Sequence, residues 1–325
     1  MILITLNRRL LLFLLLLLTV GQVIAQSSLR VAGPPVLVAG GEGVYFMNPR
    51  WAPSGDQIAY TGAEYKGLWL SDPDGGNRYL LTDEASAGFG FSWSADGTAL
   101  VTRVARYDGV RRYNAVRVLT RNPDSSRIVL DYTTGRVGIP MWMPDDAQIA
   151  VLDNDRLTIV DVPDRTPKNS SKDSLAQSPF LVADGTRLVR SDASSGTFTV
   201  AEEEESILNL ATSPDGTNVA FEILGGNLIV MDVDGRNRID LGQGSRPQWS
   251  PDGRWIVFQR SEDDGHEFTA SDLFAAGTGG QAVVRLTTTA NALEMNPSWS
   301  PDGQFIAFDD RGSIYLLPVR EGPGE

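Results

Sequence analysis

Beyond residue 35 the chain alternates short apolar runs with corners rich in Asp, Gly and Pro, and the alternation repeats in one register. Each copy begins with a phrase whose cleanest forms are Trp249-Ser-Pro-Asp-Gly and Trp299-Ser-Pro-Asp-Gly. The others start at Trp51, Trp93, Trp142, Leu181 and Thr212. Neighbouring copies stand between 31 residues (181 to 212) and 50 residues (249 to 299) apart, a blade-sized spacing. Seven residues into each copy there is an aliphatic: Ile58, Leu100, Ile149, Leu188, Val219, Ile256, Ile306. The next residue is always Ala or Val, and the one after is usually apolar again, as in Tyr60, Phe221, Phe258 and Phe308. Such short β-branched and aromatic runs between turn residues predict buried strands.

A second apolar run follows in every copy (67–72, 115–120, 156–161, 197–202, 227–232, 272–277, 313–318). A third is visible at 78–83, 127–132, 238–243 and 283–288, is weak at 174–179 and is compressed at 203–208. Ser-Pro-Asp-Gly suits a type I turn: proline presets φ and glycine takes the left-handed position that closes the hairpin. Asp72-Pro-Asp-Gly and Asp232-Val-Asp-Gly do the same between later strands. The tryptophan reads as the large anchor between blades. Each copy is then a four-stranded antiparallel meander, and the fold class is all-β, a seven-bladed β-propeller. The strand 36–41 would pair beside the last blade and close the ring, removing exposed sheet edges. Six blades also fit, because the Leu181 copy is short. The implied organisation is a signal peptide (1–25), a short lead (26–35), the propeller (36–320) and a tail (321–325).

Arg8-Arg9 precede an unbroken apolar run at 10–20, and Ala25 offers a small-residue cleavage site. The run is short for a membrane span and fits a secretory signal, so an exported protein, periplasmic or extracellular, is expected; a retained anchor is the rival. There is no cysteine, which excludes disulfides and lipid attachment through a thiol. Net charge is −13, and removing Arg8 and Arg9 with the signal gives −13 − 2 = −15. So acidic a surface disfavours nucleic acid and anionic membranes as partners.

The phrase Trp-Ser-Pro-Asp-Gly-x-x-Ile-Ala-Phe, met at 249–258 and 299–308, resembles the WD40-like repeat of TolB-type propellers, as does the Met231-Asp-Val-Asp-Gly turn. The resemblance covers residues 36–320 and implies the fold. It implies less about activity, since the same repeat serves scaffolds, peptidase gating domains and some polysaccharide lyases. Residues 26–48 are too few for the α/β domain that precedes the propeller of periplasmic TolB, so a Tol–Pal role is not carried over. No Gly-x-Ser-x-Gly elbow occurs, so neither is a peptidase role.

His266 is the only histidine, which leaves no histidine-rich metal site and no clustered-histidine lyase centre. A Ser-His-Asp triad through His266 is far less expected than a plain loop role. The Asp72/Asp74 and Asp232/Asp234 pairs have ligand-like spacing, but turn formation explains them. No cofactor or metal is expected. In a meander the a–b and c–d turns share one face, and the b–c and d–a loops, which vary, share the other; binding is usually built on the variable face. There, 103–114 forms a basic, aromatic island in an acidic protein. Arg106, Tyr107, Arg111, Arg112 and Tyr113 are the candidate binding residues, able to grip carboxylates, sulfates or an acidic partner. The expectation is a monomeric, non-catalytic scaffold for a protein, peptide or saccharide. The alternatives are a lyase or hydrolase working from Glu64, Tyr65, Asp263 and Arg111, or an accessory part of an envelope complex.

Overall fold

The computed structural model describes residues 27–121, 125–143, 146–154, 156–165, 180–192, 196–278 and 283–323. The signal-like segment and the weak run at 174–179 lie outside them. Seven antiparallel sheets follow one another along the chain, and the helical content of the described residues is a single 3-10 turn, Ala63–Tyr65. In blade 1 strands a to d are Phe46–Trp51, Ile58–Gly62, Leu68–Ser71 and Tyr79–Thr82, and in blade 2 Phe91–Trp93, Ala99–Asp108, Arg111–Thr120 and Ser126–Thr133. Blades 3 and 4 each show three strands among the described residues: Met141–Trp142, Gln148–Asp153, Arg156–Asp161, and Phe180–Asp184, Arg187–Asp192, Gly196–Glu202. Blade 5 comprises Ile207–Thr212, Asn218–Ile223, Asn227–Asp232 and Ile239–Gln243; blade 6 comprises Ser245–Trp249, Trp255–Asp263, Phe268–Gly277 and Val284–Arg285. The Leu181 copy makes a sheet of its own, so the ring has seven blades rather than six.

Blade 7 runs Met295–Trp299, Phe305–Asp310 and Ser313–Pro323, and its long third strand closes the ring twice over. Val36–Ala39 pairs with its first half, as expected. Ser27–Val31, within the stretch read as a lead, pairs with Val319–Pro323. Leu29 is thereby buried in the same cluster as Trp255 and Val319.

One expected strand is displaced. The run at 203–208 is not a fourth strand of blade 4, because Ile207 and Leu208 open strand a of blade 5, where Ile207 is buried in the blade 4–5 core. Within the acidic run 202–205, Glu203 pairs with both terminal guanidinium nitrogens of Arg238 on the next blade.

The repeat's apolar columns explain the packing. Each core cluster spans two consecutive blades. Ile306 and Phe308 face blade 6, whereas Ala307 between them faces blade 1. A strand sends alternate side chains to opposite faces, so in blades 1, 2, 5, 6 and 7 the small residue points to the following blade. There the next tryptophan covers it: Trp51 packs with Ala307, Trp93 with Ala59, Trp142 with Val101, Trp249 with Ala220 and Trp299 with Val257. Three of these indoles also donate Nε1–H to the preceding blade, Trp93 to Arg50 O (3.1 Å), Trp142 to Ser92 O (3.2 Å) and Trp249 to Ala211 O (2.9 Å). The corners behave as expected: Ser250 Oγ donates to Asp252 Oδ1 (2.6 Å) and accepts from Trp255 N (2.9 Å), with Gly253 at φ 71°.

Candidate functional site: the central channel

The innermost strands of the blades meet around a central cavity of about 770 Å3. Four of these strands are bulged three residues before the phrase, with left-handed backbone at Asn48 (φ 57°), Asn209 (49°), Arg246 (57°) and Asn296 (53°). A bulge takes an N–H out of its own ladder. The position ten residues after the phrase recaptures it across the blade boundary. Asp309 Oδ1 accepts from Asn48 N (2.8 Å), Gln259 Oε1 from Asn296 N (2.7 Å), and Glu222 Oε2 from Arg246 N (3.4 Å). Within their own blades, Asn296 Nδ2 donates to Asp309 (2.8 Å) and Asn209 Nδ2 to Glu222 (2.6 Å). Blades 5, 6, 7 and 1 are latched together in this way.

Two arginines stand on this arc. Arg50 donates from Nη1 to Pro297 O (3.3 Å); burial, reinforced by the charge of Arg246 and opposed by Asp309, brings its pKa down to about 10. Arg246 makes no side-chain hydrogen bond or ion pair among the described residues. Burial pushes the Asp309 carboxyl up to about 7, against the bonds from Asn296 and Asn48 and the charges of Arg246 and Arg50. On the other side, Arg103 donates to Val137 O (2.6 Å) and lies 4.8 Å from the Phe89 ring. Among the described residues the cavity is lined by four arginines and by Asn, Gln, Ser, aromatic and aliphatic side chains. Among these described residues there is no carboxylate, histidine, lysine or tyrosine.

The residues singled out from sequence lie elsewhere on the loop face. Arg106, Tyr107, Arg111, Arg112 and Tyr113 belong to the long b–c hairpin of blade 2. Arg106 is sandwiched against Tyr132 (4.4 Å to the ring centroid) and Tyr113 (5.3 Å), and Arg112 donates to Asn114 Oδ1 (2.9 Å) and Ser86 Oγ (3.0 Å). Tyr107 and Arg111 project into solvent at the tip. Glu64 and Tyr65 form a left-handed turn in blade 1, with Tyr65 edge-on to Phe89 (5.3 Å). Asp263 and His266 sit in the exposed hairpin of blade 6, far along the strand from the channel. None of these lines the cavity. The Asp72, Asp74, Asp232 and Asp234 carboxylates serve their own turns, accepting from Asn77, Gly76, Asn237 and Arg236.

The bulged channel positions carry a signature in the sequence. Asn48-Pro49, Arg246-Pro247 and Asn296-Pro297 recur three residues before a tryptophan, and proline inside a strand marks a bulge, because it cannot donate to the ladder.

No protein-family model matches this chain, and no curated protein does. By structure it is similar to the putative TolB from Agrobacterium tumefaciens (TM-score 0.54, 17% identity, covering 91% of this chain and 98% of that one). It is also similar to an oligogalacturonate lyase in complex with manganese (0.47, 15%, 87% and 79%) and to the oligogalacturonate lyase of Vibrio parahaemolyticus (0.48, 15%, 86% and 79%). The fold is that of a TolB-like β-propeller, and at these identities the likeness extends to fold alone. Among the described residues no helix is long and apolar enough to cross a membrane.

Proposed function

We propose that the protein is an exported binding propeller that receives a ligand or partner segment in its central channel, from the face bearing the b–c and d–a loops. The observation that carries this is the lining of the cavity: four arginines and an apolar wall, with no carboxylate, imidazole or phenol among the described residues. General acid–base or nucleophilic catalysis needs a carboxylate, imidazole or activated hydroxyl within reach of the substrate. Asp309, whose pKa is displaced towards neutrality, lies behind the Asn48 backbone, holding the latch rather than facing the lumen. Such a lining supports capture over turnover. The exposed hairpin of blade 2 gives a partner a second point of contact on the same face, through Tyr107 and Arg111.

The test is a thermal-shift screen of saccharides, peptides and small acids against the wild type and Gln248→Trp, which fills the lumen from strand a of blade 6. Hits whose shift disappears in Gln248→Trp support the channel. Hits indifferent to that change but lost in the combined alanine replacement of Arg106, Tyr107, Arg111 and Arg112 would move the site to the hairpin. Turnover of any screened compound would reject the non-catalytic reading.

A further inference from the structure

The cavity has two unlike walls. Strands a of blades 5, 6, 7 and 1 present the polar side chains Asn209, Arg246, Gln248, Ser298, Asn48 and Arg50 beside apolar ones such as Leu208, Trp249 and Trp51. Those of blades 2, 3 and 4 present Phe91, Trp93, Met141, Phe180 and Val182, with Ser92 their one polar side chain among the described residues. Arg103 and Arg136 lie towards the apolar side; the Arg103 guanidinium donates through Nη1 to Val137 O and stacks on the Phe89 ring, while its Nε is buried without an acceptor. Arg50 and Arg246 are differently placed: each feels the other's positive charge, and the counter-charge they share is Asp309. That carboxylate already accepts two hydrogen bonds on Oδ1.

Arg246 is also the odd member of its column. The other three bulged positions are Asn, which tolerates left-handed backbone through its short polar side chain. Arginine in that conformation is strained, and strain of this kind persists where function holds it. Polar atoms nearby are also left unpaired: the indole Nε1–H groups of Trp51 and Trp299 are buried without an acceptor, unlike those of Trp93, Trp142 and Trp249, and Asn48 Oδ1 is buried without a donor. Paired guanidiniums, with no acidic side chain lining the lumen among the described residues, make a receptor for an anionic oxygen head. The facing aromatic and aliphatic wall disfavours a ligand hydrated all round, because burying polar groups without partners is costly.

Resting on the reading of the channel as a binding site, we propose that its ligand is a carboxylate carried on an apolar body. The head sits between Arg50 and Arg246, and the body lies along Phe91, Trp93, Met141 and Phe180. A cavity of about 770 Å3 is the right order for one such body of dipeptide or drug-like size. The carboxylate could belong to a small acid or to the C-terminus of a peptide; the chemistry recognised is the same.

Titration calorimetry on the purified protein separates the possibilities, with N-acetyl-Leu-Phe, its C-terminal amide, 4-phenylbutyrate, galacturonate and inorganic phosphate as probes. At least one apolar carboxylate should bind, and the free-acid dipeptide should bind about tenfold or more tighter than its amide. Binding of 4-phenylbutyrate as strong as that of the dipeptide would assign a small acid, and dipeptide binding alone a peptide C-terminus. Arg246→Gln should lose that preference, since it removes one of the two guanidiniums that hold the head. Arg50→Gln should lose it too; should that variant fold poorly, Arg246→Gln still decides. Equal binding of acid and amide, tighter binding of galacturonate or phosphate, or no binding by any apolar carboxylate would each overturn the proposal. Binding that responds to Gln248→Trp but not to the carboxylate would remove the ligand class and leave the channel standing. Acid binding that ignores Gln248→Trp would remove the channel reading itself.

Discussion

Asp309 should make the stability of this protein fall as pH rises, and replacing it by asparagine should remove that fall. The carboxyl is 5% exposed, and burial lifts it from the ordinary 3.8 to about 7 despite two donated hydrogen bonds and two nearby arginines. Its folded-state pKa therefore lies above its unfolded one. Below about pH 4 both states hold the proton and its stability contribution is intact. As pH rises through about 7 the unfolded chain has released the proton while the folded chain has been slower to do so, and the contribution is lost. At about 1.4 kcal/mol per pH unit the interval corresponds to about 4 kcal/mol in all. About 2.5 kcal/mol of this falls between about pH 5 and about pH 8, since the unfolded chain is already largely ionised at the lower value. Asp309→Asn keeps an oxygen for Asn48 N and Asn296 Nδ2 but cannot ionise. Urea unfolding of both proteins at both pH values gives the answer as a difference of differences, in which every other titrating group cancels. The variant should gain on the wild type by about 2.5 kcal/mol over that interval. A gain below about 1 kcal/mol would refute the claim that the buried carboxyl, rather than its arginine neighbours, governs the site.

Two further substitutions test the latches. Gln259→Leu leaves the buried Asn296 N–H without its acceptor and should cost about 2 kcal/mol by urea unfolding; an unchanged midpoint would mean the bulge N–H finds another partner. Asp146 stands where other copies of the phrase have glycine, at φ 58°, and its two carboxylate oxygens accept from Ala95 N (2.7 Å) and Asp96 N (2.8 Å) of blade 2. Asp146→Gly and Asp146→Ala both lose those bonds, but alanine keeps the left-handed strain, so it should be worse by about 1 kcal/mol. Equal melting temperatures for the two would refute the strain.

What could be read from the sequence is what the repeat does to itself. The corner Ser250-Pro-Asp-Gly is made by residues within five positions of one another, so its hydrogen bonds follow from local residue type. The Ala or Val column and the tryptophan column were also legible, because one packs under the other at each of the five boundaries where the next copy opens with tryptophan. The latches were not. Asn48 and Asp309 are 261 residues apart, and the column that supplies acceptors reads Thr61, Arg103, Leu152, Glu222, Gln259 and Asp309, with no shared side-chain class. A search for recurrence discards such a column. The strand Ser27–Val31 has no counterpart among the copies, and pairing is its only signature. The hairpin of blade 2 drew notice for its charge, yet Arg106 is engaged with Tyr113 and Tyr132, so composition pointed to a face but not to the cavity.

The columns that do not recur are the ones that give the channel its direction. A ring of identical blades would surround its axis with one kind of side chain and could hold only a ligand of matching symmetry. Here the bulged, polar inner strands are contiguous, running from blade 5 through blades 6 and 7 to blade 1, and the apolar ones occupy the remaining arc. The polar arc is also where latches cross each boundary and where the N-terminal strands close the ring on blade 7. Arg50 and Arg246 are thus mounted on strands that hydrogen bonds tie across three successive blade boundaries. Fixed charges on a rigid support need little reorganisation when a counter-charge arrives, and that lowers the entropic cost of capture. Divergence at the two bulge-associated columns therefore supplies both the polarity of the lumen and the stiffness that makes it usable.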